Sequence, residues 1–124
     1  MNVTPKTVLF VDDEEMLREI GEEMLTDLGY RVLLAGDGED ALSVFIENQE
    51  TIDLVILDMI MPKMNGEETF KEMIKIQPDV KVIISSGYSK DGQAPTILQH
   101  SKCAFLQKPY DYDDMEERLK QVLG

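Results

Sequence analysis

The sequence is poor in the residues that lock or anchor a chain from outside. It has one cysteine, Cys103, no tryptophan and a single histidine, His100. A lone thiol closes no internal disulfide, so a packed core must hold the fold, and a reducing cytoplasm is the expected setting. Basic residues are scarce too: 12 Lys and Arg stand against 25 Asp and Glu, a formal net charge of −13. Phosphate backbones and anionic lipids bind basic surfaces, so no direct contact with nucleic acid or membrane is expected. A cation or a basic partner surface suits this charge better. No apolar run approaches the ~18 residues of a membrane span, and residues 1–6 lack the hydrophobic stretch of a signal peptide. There is no repeat, linker or low-complexity tract, so the 124 residues read as one domain over 1–124. A hydrophobic content of 43% is enough for an ordinary core and excludes disorder.

What is present is an alternation. Short apolar runs at 7–11, 31–35, 54–57, 80–84 and 103–106 are separated by segments of helical spacing. The first and third runs are continuously apolar, the mark of strands covered on both faces. The first helix is expected to turn Leu17, Ile20, Met24 and Leu28 inward and to close at Gly29. Asp37 with Asp40 opens the second, with Ala41, Leu42 and Phe45 inward. Asn65 with Glu68 opens the third, carrying Phe70 and Ile74. Asp111 with Asp114 opens the last, with Tyr112, Met115, Leu119 and Val122 on one face. In 89–102 the periodicity is poor, and Pro95 predicts only a short helix through Ile97 and Leu98. Five β-α units predict an α/β fold, a flavodoxin-like doubly wound parallel sheet of five strands in the order 2-1-3-4-5. Ligands of such sheets sit at the carboxyl ends of the strands, at the switch point between strands one and three.

Charge collects at that place. Asp12 and Asp13 follow strand one and Asp58 ends strand three, and the predicted order makes these strands neighbours about 4.8 Å apart. Three carboxylates in one crevice repel unless a cation offsets them. All the donors are hard oxygens, which favours Mg²⁺ or Mn²⁺ over Zn²⁺. Strand four ends in Ser86, a hydroxyl donor, and strand five leads to Lys108. The formal charges of three carboxylates, one ammonium and one divalent ion cancel. Such a site is equipped to hold a phosphoryl group, with Asp58, central in the set, as the carboxylate nucleophile.

The same residues carry a resemblance. Asp12-Asp13-Glu14 after a strand, Asp58-Met59-Ile60-Met61-Pro62 with Gly66, Ser86-Gly87 and Lys108-Pro109-Tyr110 resemble, in this order and spacing, the receiver domains of two-component response regulators. The likeness covers nearly the whole chain. The spacing to Lys108 selects Ser86 over Ser85. The runs at 86–89 and 106–110 are most similar to receivers attached to hybrid sensor histidine kinases. The resemblance implies a phosphoacceptor switch of a phosphorelay. Asp58 takes phosphate from a phosphohistidine of a histidine kinase or phosphotransfer domain. Asp12, Asp13, Asp58 and the backbone carbonyl of Ile60 hold Mg²⁺, for which Mn²⁺ substitutes. Lys108 contacts the phosphoryl group, and the peptide bond after it is usually cis. Ser86 then swings toward the phosphoryl group and Phe105 turns inward, changing the surface of the fourth helix, fifth strand and fifth helix. The resemblance also implies no separate substrate turnover, an output partner of unknown kind, and a monomer or weak homodimer. Ile60 and Tyr88 occupy positions that tune phosphoryl lifetime. The chain ends with the last helix, as a stand-alone regulator or a piece of a longer protein would.

Plainer readings stand beside these. Asp12 and Asp13 are also good helix caps, Asp58 is also a turn former before Pro62, and Ser86-Gly87 and Lys108-Pro109 alone mark ordinary loops. His100 reads as a surface residue and Cys103 as a core filler. Met59, Met61 and Met64 either pack beneath the crevice or face a partner. Three other functions use similar parts. A haloacid-dehalogenase-like phosphatase needs a second Asp where Ile60 stands. A flavin or nucleotide binder needs a phosphate-cradling loop where the Asp-Asp-Glu-Glu run stands. A pseudo-receiver binds its partner without phosphorylation.

Overall fold

The computed structural model describes residues 5–61, 64–87 and 103–123. Five strands, β1 (Thr7–Val11), β2 (Arg31–Ala35), β3 (Ile52–Asp58), β4 (Val82–Ser86) and β5 (Cys103–Gln107), pair in parallel in the order β2-β1-β3-β4-β5. This is the predicted doubly wound sheet. The helices among the described residues are α1 (Glu15–Asp27), α2 (Gly38–Glu47), α3 (Gly66–Ile76) and α4 (Tyr112–Leu123). The short helix expected at Pro95, Ile97 and Leu98, the roles of Tyr88 and His100, and the turn at Pro62 lie outside the described residues.

The continuous apolar runs are central because both their faces are covered. Every residue of β1 and β4 is buried, and in β3 only Asp53 is exposed. Leu9, Val11, Val55, Leu57, Val82 and Ile84 meet Phe45 of α2 and Phe70 and Met73 of α3 on one side. Val8, Phe10, Leu54, Ile56 and Ile83 meet Met24 and Leu25 of α1 and Met115 and Leu119 of α4 on the other. Each such fully buried side chain contributes about 1.5–3 kcal/mol, and the sheet is clamped from both sides. Met61 is buried and Met59 packs against the same core, whereas Met64 is partly exposed beside Gly38 of α2. Cys103, partly exposed, also packs against this core.

Local signals set the helix ends. Asp37 accepts from the amide of Asp40 at 2.7 Å, Asn65 and Glu68 form a reciprocal capping box, and Asp111 and Asp114 do the same at 2.9 and 3.1 Å. Each satisfies amide donors that a helix start leaves open. Gly29 closes α1 with φ +97°, the left-handed region that glycine enters without strain. The caps of α1 depart from the plain reading of the acidic pair. Its N-cap is Glu14, with no side-chain cap.

Two inward positions are corrected. Ile20 is 45% and Tyr112 42% exposed. α1 is rotated so that Gly21, Met24 and Leu25 face the sheet. A Cβ at Gly21 would stand 2.5 Å from the Phe10 ring, so that glycine lets the helix approach and turns Ile20 outward. Tyr112 hydrogen-bonds through its hydroxyl to Asp27 of α1 instead of entering the core. Two strand starts also move: β3 begins two residues before its apolar run, and β4 begins at Val82, not Val80.

The register brings the strand ends together. Val11 lies beside Leu57, and Asp58 beside Ser85. The residues that follow β1 and end β3 therefore face each other at the switch point.

Candidate functional site

Asp12, the first residue after β1, is 1% exposed. Its amide donates to the Ala35 carbonyl at 3.2 Å. Its Oδ1 accepts from the Glu14 amide at 3.0 Å, its Oδ2 from Lys108 Nζ at 2.8 Å, and its backbone carbonyl from Arg18 Nη1 at 2.7 Å. Asp13 is exposed and Asp58 is buried. One carboxylate oxygen from each of Asp12, Asp13 and Asp58 lies within 4.8 Å of the others. Lys108 follows β5. Its amide donates to the Ser86 carbonyl at 2.7 Å, and its Nζ also reaches Asp58 Oδ1 at 3.4 Å. The Lys108–Pro109 peptide is cis.

The predicted residues thus assemble unequally. Asp12, Asp13, Asp58 and Lys108 meet directly. Ser86 is buried at the end of β4 and joined to Lys108 through its backbone. Ser85 and Ser86 point to opposite faces, as neighbours in a strand must. Ile60 places its backbone against the site, since its amide hydrogen-bonds the Asp58 carboxylate, while its side chain is 54% exposed. Phe105 stands apart. It is half-buried against the α2–α3 core, with its carbonyl held by Arg118 Nε at 2.7 Å.

The electrostatics show a site short of positive charge. Burial pushes the Asp58 carboxyl up, the Lys108 charge pulls it down, and Asp12 pushes it up again. The result is about 6. Burial alone would lower the Lys108 ammonium, but its hydrogen bond to Asp12 and the charges of Asp58 and Asp12 outweigh that and raise it. The Tyr110 hydroxyl is raised to about 12 by burial and by the charges of Asp12 and Asp58. One lysine does not fully offset the carboxylates. Three converging oxygen donors with uncancelled charge fit a hard divalent cation.

Three participants had weak signals in the sequence. Arg18 is the one basic residue of α1 and reaches back to Asp12. Ser85 buries a hydroxyl that has no partner among the described residues. Gly66, noted only as part of a motif, starts α3 directly under the Asp58 backbone. Its amide donates to the Met59 carbonyl at 2.9 Å, and a Cβ there would lie 2.6 Å from the Asp58 carbonyl and 2.9 Å from Met59 Cα. These are backbone atoms, so they cannot swing aside. Gly66→Ala is expected to cost about 1–3 kcal/mol and to shift the amide resonances of Asp58 and Met59. Thermal melting and a nitrogen–proton spectrum check it, and a variant indistinguishable from the parent in both would contradict it.

The model of the family described as response regulator receiver domain matches residues 8–120. The sensor kinase CckA of Brucella abortus (strain 2308) is 36% identical over 117 residues, which are 94% of this chain and 12% of that protein. The crystal structure of a response regulator receiver domain protein from Clostridium thermocellum superposes with a TM-score of 0.88 at 30% identity, covering 95% of this chain and 94% of that one. The response regulator TrrA from Thermotoga maritima, in complex with Mg²⁺-BeF, superposes with a TM-score of 0.83 at 33% identity, covering 94% and 98%.

Proposed function

The chain belongs to the response regulator receiver domain family, and from that premise we propose that Asp58 is its phosphoacceptor, loaded from a phosphohistidine of a histidine kinase or phosphotransfer domain. The observation that carries this reading is Lys108 Nζ spanning Asp12 at 2.8 Å and Asp58 at 3.4 Å, with Asp13 alongside.

An Asp58 oxygen attacks phosphorus, the P–N bond breaks, and its electron pair leaves with the imidazole, which takes a proton from solvent. Asp58 is an anion above about pH 6, so the nucleophile is available at neutral pH. Lys108 already lies within reach of the attacked side and presents its ammonium to the incoming oxygens. Asp12, Asp13, Asp58 and the Ile60 carbonyl would hold Mg²⁺, or Mn²⁺ in its place, which when bound offsets charge on the phosphoryl oxygens. Ser86 donates its hydroxyl to the phosphoryl group, and Phe105 responds by turning inward, which alters the face of β5 and α4. The half-exposed Ile60 side chain stands where a phosphatase would need an acid. This counts against a haloacid-dehalogenase-like phosphatase; on the family reading the protein turns over no separate substrate and acts as a monomer or weak homodimer on an output partner.

Incubation with acetyl phosphate and Mg²⁺ is expected to add one phosphate, to fail in the presence of a chelator, and to place the label on Asp58 in peptide mass spectra. Ring resonances of Phe105 should move on labelling in the parent and stay in place in Ser86→Ala. No label, or a label on another residue, sinks the phosphoacceptor reading. A Phe105 ring that responds equally in both proteins removes Ser86 from the switch.

A further inference from the structure

We propose that Arg18 is a positioning residue for Asp12, fixing the backbone of this buried carboxylate so that its side chain faces the cation site. The inference rests on the reading of Asp12 as a metal-holding group.

Asp12 is fastened at every polar atom, and two of those contacts bind its backbone to other parts of the chain. Its amide donates to Ala35, the last residue of β2, at 3.2 Å. Its carbonyl accepts from Arg18 Nη1 of α1 at 2.7 Å. Arg18 is in turn fitted against the residue after Ala35. A Cβ on Gly36 would lie 3.2 Å from Nη1, 3.5 Å from Cζ and 3.9 Å from Nη2. The guanidinium therefore lies over bare backbone at Gly36 and joins the β1–α1 turn to the β2–α2 turn. The Gly36 amide is itself held by Asp40 Oδ2 at 3.2 Å. A broad head group that donates to a carbonyl through one nitrogen while its remaining atoms lie beside a neighbouring stretch of backbone suits Arg and does not suit Lys.

Two effects of Arg18 on a bound cation have opposite signs. Its positive charge, near three carboxylates, opposes a second cation. Its hydrogen bond orients one of the ligands and so favours it. Arg18 is half-exposed, where solvent and salt screen its charge. Asp12 is almost wholly buried, and a loosened backbone there misdirects a ligand. Positioning dominates, and loss of such supporting contacts typically weakens metal binding about 10-fold or more.

Calorimetric titration of the whole chain with Mg²⁺ tests this. Arg18→Met is expected to bind Mg²⁺ about 10-fold more weakly, and Arg18→Lys to weaken it as well although the charge is kept. Gly36→Val, which crowds the guanidinium, should weaken binding in the parent and add nothing in the Arg18→Met background. In metal-free protein the Asp12 and Glu14 amides should exchange with solvent faster in Arg18→Met. Unchanged or tighter Mg²⁺ binding in Arg18→Met, or amides exchanging at the parent rate, overturns the assignment. A parent that binds no Mg²⁺ instead counts against the phosphoacceptor reading, and the exchange measurement, which needs no metal, still decides on Arg18.

Discussion

Asp58→Asn is expected to abolish phosphoryl uptake and at the same time to make the metal-free protein more stable. The carboxyl of Asp58 ionises near 6 in the folded chain, against 3.8 for an ordinary aspartate. Below pH 3.8 it is protonated in both states and nothing is lost. As pH rises, the unfolded chain releases the proton first, while the folded chain still holds it, and stability falls. Above about 6 both states are ionised and the full penalty remains, about 2–3 kcal/mol. Asparagine cannot ionise and carries no such penalty. The variant should match the parent near pH 4 and melt on the order of 10 °C higher at pH 7.5. Added Mg²⁺ should close the gap by stabilising the parent more than the variant. Melting curves across pH, with and without Mg²⁺, decide the matter. A variant less stable than the parent at pH 7.5 without metal would mean that Asp58 is not strained.

Lys108→Met should do the opposite. The Lys108 side chain is 21% exposed, and its ammonium pairs with two buried carboxylates. Removing it leaves Asp12 and Asp58 facing each other with their repulsion uncancelled, and breaking a buried pair in this way costs about 3–5 kcal/mol. Lys108 normally pulls the Asp58 carboxyl down, so in the variant that carboxyl moves above 6 and holds its proton to higher pH. The sign follows from the raised value: the loss is smaller near pH 4–5, where Asp58 is protonated, and largest near pH 8. Phosphoryl uptake from acetyl phosphate should slow by about 100-fold, the usual effect of losing one donor to the reacting oxygens. Urea titrations at pH 5 and pH 8, with uptake rates, test both halves. Equal stability at the two pH values, or uptake at the parent rate, would remove Lys108 from the charge balance of the site.

The strand ends were the legible part of the site. An apolar run that stops at Asp12, Asp58 or Ser86 shows where a strand leaves the core, and a parallel order carries all such ends to one rim. That is why Asp12, Asp58 and Lys108 were identifiable together. Arg18 was not, because a side chain reaching a carbonyl six residues back obeys no periodicity. The helix faces were half-legible. Spacing defined an apolar stripe on α1, but the close approach of Gly21 to Phe10 chose which edge of it entered the core, and Ile20 lost. At the start of α4 an aromatic residue fits either a core or a hydrogen bond, and the carboxylate of Asp27, distant in sequence, settled the question for Tyr112.

By itself, then, the sequence determined the order of the described elements, the both-faced burial of the inner strands, the caps of α2, α3 and α4 and the identity of the acidic and basic groups at the rim. These depend on interactions within a few residues or on the periodicity of a single element. Only the tertiary structure decided the distances that make those groups a site: the lysine shared between Asp12 and Asp58, the carboxyl of Asp58 held near 6, and the bare backbone of Gly66 beneath it. Coulomb interaction and desolvation depend on separation and burial in space, and neither is set by spacing along the chain.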